Sequence, residues 1–153
     1  MSHKTSLFAA FLLGACASAT TDMLAEEPAP PKASATVADG AAAGVTRVAP
    51  NGTAKVTVLA QGNNAFVARL EMDGHAEVPQ HRDSTEEYIV VLEGGGTLLM
   101  DGKPHQLQKG SAVFMPANAE VSFANGPETM VAIQVFAGPE PAAKYDAWKK
   151  PTD

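Results

Sequence analysis

One stretch decides the fold of this chain: His81-Arg82-Asp83-Ser84-Thr85-Glu86-Glu87-Tyr88-Ile89-Val90-Val91-Leu92-Glu93-Gly94. A dense polar group opens it, and the run Tyr88–Leu92 follows and is apolar at every position. A strand with one face in water alternates apolar and polar residues, whereas this run is apolar on both faces. We therefore expect its second face to be covered by an N-terminal strand, by the C-terminal segment or by another subunit, which would make the protein a homodimer.

Short apolar runs separated by turn residues fill the chain on both sides of this stretch. The predicted strands cover residues 55–60, 65–72, 86–92, 97–100, 105–107, 112–115, 121–124 and 129–136. Asp101-Gly102 lies between two of them and is typical of a two-residue hairpin turn. Evenly spaced strands without intervening helices predict an all-β sandwich or closed barrel.

The core of this barrel is predicted from apolar residues on the strands. The expected core residues are Phe66, Leu70, Leu99, Phe114, Val121, Phe123, Ile133 and Val135. Val121 and Phe123 alternate toward the interior of one strand, where an apolar wall with a few polar groups is typical of a small-ligand pocket.

Residues 1–16 have the pattern of an export signal. Lys4 precedes an apolar run that begins at Leu7 and is too short to span a bilayer. The tetrapeptide Leu13-Gly14-Ala15-Cys16 resembles the bacterial lipoprotein signal, which implies acylation of Cys16 and a membrane anchor. The resemblance places the protein on the periplasmic side of the cell envelope, with the outer membrane favoured. The alternative is an ordinary secretory signal cut after Ala17 or Ala19.

Two further segments flank the predicted barrel of residues 45–138. Residues 17–44 are rich in Ala, Pro and Thr, which predicts a flexible spacer. Residues 139–153 form a tail in which Tyr145 and Trp148 are three positions apart, and we expect a short helix that packs both aromatic rings on the barrel.

Composition limits the classes of partner. The chain has 153 residues, which suits one domain of ordinary size, and a net charge of −6. A nucleic-acid-binding surface needs clustered Lys and Arg, and the pair Lys149–Lys150 is the longest such run, so no nucleic acid is expected. The single cysteine lies in the leader and cannot form an internal disulfide.

Two motifs in the chain resemble those of the cupin family. The first family motif is His-x-His, then Glu and Gly, and this chain has His81, Asp83, Glu87 and Gly94 at those places. The second family motif is Gly, Pro-x-Gly, His and Asn, and this chain has Gly110, Pro116, Asn118, Val121 and Asn125 at those places, so that Asn118 replaces the motif's second glycine. The resemblance implies a double-stranded β-helix, or jelly-roll barrel, with a pocket inside.

The departures from the family pattern bear on its metal site. Family members bind a metal through three histidines and a glutamate, and here Asp83 replaces the second histidine and Val121 the third. His81, Asp83 and Glu87 therefore remain as candidate ligands for a divalent Mn, Fe, Ni or Zn ion. The alternative is that His81 and Glu87 are polar groups of a pocket that bind a small molecule or transfer a proton.

We favour a binding module: an exported cupin that holds an unidentified small ligand in a pocket containing His81, Glu87, Val121 and Phe123. The alternative is a metal-dependent enzyme of the oxygenase or isomerase type that uses His81, Asp83 and Glu87. Fold analogy alone supports the enzyme, because this barrel carries many unrelated functions.

Overall fold

The computed structural model describes residues 35–37, 44–138 and 142–151. The predicted signal, its Cys16 and nearly all of the spacer lie outside these ranges, so export and lipidation stay predictions. No helix within the described ranges is long and apolar enough to cross a membrane.

The described chain forms strands almost throughout, as the sequence predicted. The strands are β1 Val45–Val48, β2 Ala54–Gln61, β3 Ala65–Met72, β4 Glu77–Arg82, β5 Glu86–Glu93, β6 Gly95–Met100, β7 Lys103–Gln108, β8 Ala112–Met115, β9 Glu120–Asn125 and β10 Met130–Ala137. They form a six-stranded sheet, β1-β2-β3-β10-β5-β8, and a four-stranded sheet, β4-β9-β6-β7. Every pairing is antiparallel, and the expected all-β fold is confirmed.

The predicted hairpin turn joins β6 and β7. Met100 pairs with Lys103, and the two residues between them have positive φ angles, 48° at Asp101 and 76° at Gly102. Two consecutive positive φ angles are typical of the type I′ turn, whose twist matches that of the flanking strands. Asn118 also has a positive φ, of 64°, so it adopts the left-handed conformation expected where the family has a glycine.

Aromatic packing in the core joins the six-stranded sheet to the tail. Phe66 on β3 and Phe136 on β10 are each 1% exposed and stack with ring centroids 5.2 Å apart. The ring of Tyr145, from the tail, meets both of them edge-on. The tail is thereby fixed against one end of the core, beside the cavity described below.

The outer face of β5 is open in the described part of the protein. Tyr88, Val90 and Leu92 are 40–44% exposed, and the Tyr88 ring contacts Phe114 on the neighbouring edge strand β8. Neither β1 nor the tail covers this face within the described residues, so the predicted homodimer stays a prediction.

The core prediction was wrong for Ile133 and Val135, which are only partly buried and pair with the exposed Val90 and Tyr88 on the outer face. It was also wrong for Leu99 and Phe114, which are 40% and 47% exposed. Their neighbours Leu98 and Met115 are buried instead. Successive side chains of a strand point to opposite faces, so the errors at Leu99 and Phe114 are one-residue errors in assigning the inward face.

Two strands were missed by the sequence reading, and one of them carries His81. Strand β4 lies at an edge of its sheet and contains Pro79, which lacks the N–H that a central strand needs. Its pairing with β9 matches Val78 to Phe123 and His81 to Val121, with a bulge between them. The bulge adds one residue to β4, so that Val78 and His81, three positions apart, lie opposite Phe123 and Val121, which are two positions apart. Because of this extra residue, Val78 and His81 both face inward.

Between residues 142 and 151, the part of the C-terminal tail that the structure describes, there is a 3₁₀ turn, Ala142–Tyr145, and not the short helix that the sequence predicted. Trp148 lies beyond the turn, yet its ring still meets that of Tyr145 at a centroid distance of 4.8 Å. The backbone of Lys149 then pairs with Val48 on β1 through two hydrogen bonds. A segment this short cannot offset the cost of helix nucleation, and strand pairing and aromatic packing hold it instead.

Candidate functional site

A cavity of about 300 Å³ lies inside the barrel. Most of its wall is apolar, and it includes Ala54, Leu70, Met72, Val78, Ile89, Leu98, Leu107, Met115, Val121, Phe123, Met130, Phe136 and Trp148. The polar wall residues include His81, Asp83, Glu87, Gln134, Lys144 and Tyr145, here called the polar cluster. An apolar wall with a few convergent polar groups is the usual form of a small-molecule site.

Within the polar cluster, the His81 ring lies between two acceptors. Its Nδ1 is 2.9 Å from the carbonyl oxygen of Pro79, and its Nε2 is 3.6 Å from Oδ2 of Asp83. A carbonyl and a carboxylate both favour an imidazole that is protonated on each nitrogen. The Asp83 carboxylate is the main reason that the pKa of His81 lies above its ordinary value, and partial burial opposes this rise.

Asp83 lies in the loop between β4 and β5 and contacts two basic side chains. Its Oδ2 accepts a 2.6 Å hydrogen bond from Nζ of Lys144, in addition to the approach of the His81 ring. These two partners lower the pKa of Asp83 to about 2, with the His81 interaction the larger cause. Asp83 is therefore ionised at neutral pH and serves as the negative partner of the Lys144 ammonium.

Glu87 is the buried carboxyl of the polar cluster, at 7% exposure on the inward face of β5. Its Oε1 accepts a 2.5 Å hydrogen bond from Nε2 of Gln134 on β10. The Tyr145 hydroxyl in turn donates to Oε1 of Gln134 at 3.0 Å. Burial raises the pKa of Glu87, and the Gln134 hydrogen bond opposes that rise.

Lys144 comes from the tail and enters the cavity from outside the sheets. Its ammonium lies 3.8 Å from the centroid of the Phe136 ring and donates to Asp83. A cation over an aromatic face is attracted by the ring quadrupole, which compensates part of the loss of hydration. The ammonium also lies 5.8 Å from the centroid of the Tyr145 ring, so one ionic and two aromatic contacts hold Lys144 at the polar end of the cavity.

The polar cluster does not fit a metal ion in this arrangement. His81, Asp83 and Glu87 all line the cavity, but the described residues contain no group of three or more His, Cys, Asp or Glu side chains placed to hold a metal. Asp83 is engaged by an ammonium, and Val121, which pairs with His81 across β4 and β9, has no lone pair to offer. A lysine from the tail thus provides positive charge beside Asp83.

The structure brings together the cavity residues named from the sequence. His81, Glu87, Val121 and Phe123 all line one cavity, and Asp83 joins them. The described contacts of His81 are with Asp83 and Pro79, so the polar pair in this cavity is His81 with Asp83 and not His81 with Glu87.

Several residues of this site were missed or given another role in the sequence reading, and four of them lie at its polar end or in the tail. Gln134 and Lys144 carried no motif, while Tyr145 and Trp148 were assigned to packing alone; all four line the cavity. The sequence contained one indication of a role for Lys144, Tyr145 and Trp148. A basic residue between small and aromatic residues, Ala143-Lys144-Tyr145, is a candidate for a charge held against rings.

Comparison with known proteins agrees with this fold. The family model described as "Cupin domain" matches residues 68–136. A dimethylsulfoniopropionate lyase, DddW of Ruegeria pomeroyi, is 40% identical over 55 residues. That segment covers 36% of this chain and 36% of the lyase, so the chain matches only about a third of that relative's length.

Solved structures of low sequence identity share the fold. KdgF from Halomonas sp. superposes with a TM-score of 0.63 at 14% identity, covering 70% of this chain and 96% of that one. An RmlC-like cupin from Shewanella frigidimarina gives 0.61 at 18%, covering 68% and 92%. A predicted oxalate decarboxylase from Thermotoga maritima gives 0.59 at 19%, covering 67% and 99%. The chain thus has the jelly-roll fold of the cupins, and its residues 68–136 match the cupin domain model.

Proposed function

We propose that this barrel binds a small organic molecule in its cavity, with the polar cluster holding the polar end of that molecule. The observation that carries the proposal is a cavity of about 300 Å³ whose wall is apolar except for the polar cluster and Ser122. That volume corresponds to about ten water molecules at roughly 30 Å³ each, so the ligand has on the order of ten non-hydrogen atoms.

The hydrogen bonds of the polar cluster support binding because they fix its side chains before a ligand arrives. Tyr145 holds Gln134, Gln134 holds Glu87, and Lys144 holds Asp83. Groups that are already ordered lose little conformational entropy on binding, which favours affinity. The apolar wall contributes about 25 cal/mol for each Å² of ligand surface that it removes from water.

Trp148 gives this proposal a direct test, because it is the only tryptophan in the chain and it lines the cavity. We expect 1-hexanol, titrated into the full chain, to change the Trp148 emission in a saturable way, because a ligand in the cavity replaces the surroundings of the indole. The change should be absent with free tryptophan in the same buffer. A general solvent effect would instead change the Trp148 emission in proportion to the alcohol concentration. Such a linear response for every alcohol from butanol to octanol would contradict binding in the cavity.

The partial identity to the lyase favours a second candidate, a lyase of small sulfonium carboxylates. Such a reaction is an elimination: a base takes a proton from the carbon next to the one that bears the sulfonium sulfur, a carbon–carbon double bond forms between these carbons, and the carbon–sulfur bond breaks to release a neutral sulfide and an unsaturated carboxylate. The test is release of dimethyl sulfide from dimethylsulfoniopropionate by the purified full chain, with and without added divalent metals. If dimethyl sulfide is released no faster than in buffer alone, both with and without added metals, the lyase function is ruled out and the binding function remains.

A further inference from the structure

The tail residue Lys144 is the feature of the cavity that the cupin resemblance does not account for. Its side chain is 27% exposed, and its ammonium reaches the Asp83 carboxylate at 2.6 Å. The segment that delivers it is anchored by two residues that follow Lys144 in the chain. Tyr145 is buried at 5% exposure, and Lys149 pairs with Val48 on β1.

We propose that the Lys144 ammonium is the ligand-binding cation of this cavity and recognises the carboxylate of a small organic acid. The apolar remainder of the acid lies against the apolar wall. This inference rests on the proposed function, because it names the chemical class of the ligand in the same cavity.

The donors and acceptors of the polar cluster point to an anionic group. An ammonium has three N–H donors. Within the described residues, one N–H of Lys144 donates to Asp83, and the ammonium lies over the Phe136 ring. A further N–H is then available for an acceptor in the cavity. Each carboxyl of the cluster, by contrast, already has a donor, since Asp83 has Lys144 and Glu87 has Gln134.

The surroundings of Lys144 make such a contact strong. A hydrogen bond between an ammonium and a carboxylate is about twice as strong as one between neutral groups, and a low local dielectric strengthens it further. The Phe136 ring and the apolar wall provide that low dielectric. An alcohol of the same chain length fills the same apolar space but lacks the charge, so a matched acid and alcohol isolate the contribution of Lys144.

The experiment compares hexanoate with 1-hexanol in the full chain by Trp148 emission, for the wild type, Lys144→Met and Lys144→Arg. We expect the wild type to bind hexanoate at least about tenfold more tightly than 1-hexanol, since a hydrogen bond to a charged group contributes that much or more. Lys144→Met should lose this preference, so that its affinities for hexanoate and 1-hexanol lie within about threefold of each other. Lys144→Arg keeps the charge and should retain a preference for the acid.

The outcomes separate this inference from the proposed function. Equal affinities for the two probes in the wild type, or a preference that survives in Lys144→Met, would overturn the role of Lys144 while the cavity still binds. Binding of neither probe would overturn the proposed function itself. The wild-type comparison requires no variant, so it remains decisive even if Lys144→Met does not fold.

Discussion

Replacing Phe136 with alanine is expected to lower the free energy of unfolding by about 3–5 kcal/mol. Phe136 is 1% exposed, stacks on Phe66 and lies under the Lys144 ammonium. Its loss leaves a hole between the six-stranded sheet and the tail, and the anchored strands on either side cannot close it. Urea unfolding of the full chain, followed by far-ultraviolet circular dichroism, measures the effect.

Phe114→Ala is the matched control for this prediction. The same atoms are removed, but Phe114 is 47% exposed on edge strand β8 and touches Tyr88 on the outer face. We expect a cost of about 1 kcal/mol or less. Equal losses of stability in the two variants would show that the aromatic cluster of Phe66, Phe136 and Tyr145 is not the centre of the core.

Replacing Val121 with phenylalanine is expected to weaken 1-hexanol binding by at least about 30-fold, which corresponds to roughly 2 kcal/mol. Val121 lies on β9, is 6% exposed and lines the cavity. The phenyl ring is larger than the valine side chain and would occupy the space of the ligand. Titration followed by Trp148 emission measures the change, since the variant adds no second tryptophan.

Val90→Phe provides the comparison, because it makes the same chemical change on the outer face of β5, where Val90 is 44% exposed. We expect it to bind 1-hexanol as the wild type does. If Val121→Phe also binds as the wild type does, the ligand does not occupy this cavity.

Alternation and turn chemistry made most of the barrel predictable. The strand Ala65–Met72 was predicted with the bounds that the structure has, and Asp101-Gly102 forms the predicted turn. Local signals suffice there, because side chains alternate with period two and the turn needs two positive φ angles.

Non-local structure explains what was missed. Strand β4 has a polar sequence with a proline, and it is a strand only because β9 pairs with it. Gln134 reads as an ordinary polar residue until β10 is placed beside β5, opposite Ile89 and near Glu87. Lys144 reaches Asp83 across 61 positions of the chain, a contact that no local pattern encodes.

The site prediction depended on the motif match and was therefore limited to positions that the motif contains. His81 and Glu87 were named from it, and both line the cavity. The motif does not extend into the tail, so it gave no account of how Asp83 is neutralised. The structure supplies one in the Lys144 ammonium, which explains how an aspartate is accommodated where the family has a histidine.

The measurement that tests this account most directly is the metal content of the full chain, purified without added histidines from medium containing Mn, Fe, Ni and Zn. With Lys144 on Asp83 and Val121 opposite His81, we expect far less than one metal ion per chain, equally in the wild type and in His81→Ala. Elemental analysis of the two proteins side by side measures this. Near-stoichiometric metal in the wild type that is lost in His81→Ala would contradict the account and make His81, Asp83 and Glu87 the ligands of a metal centre.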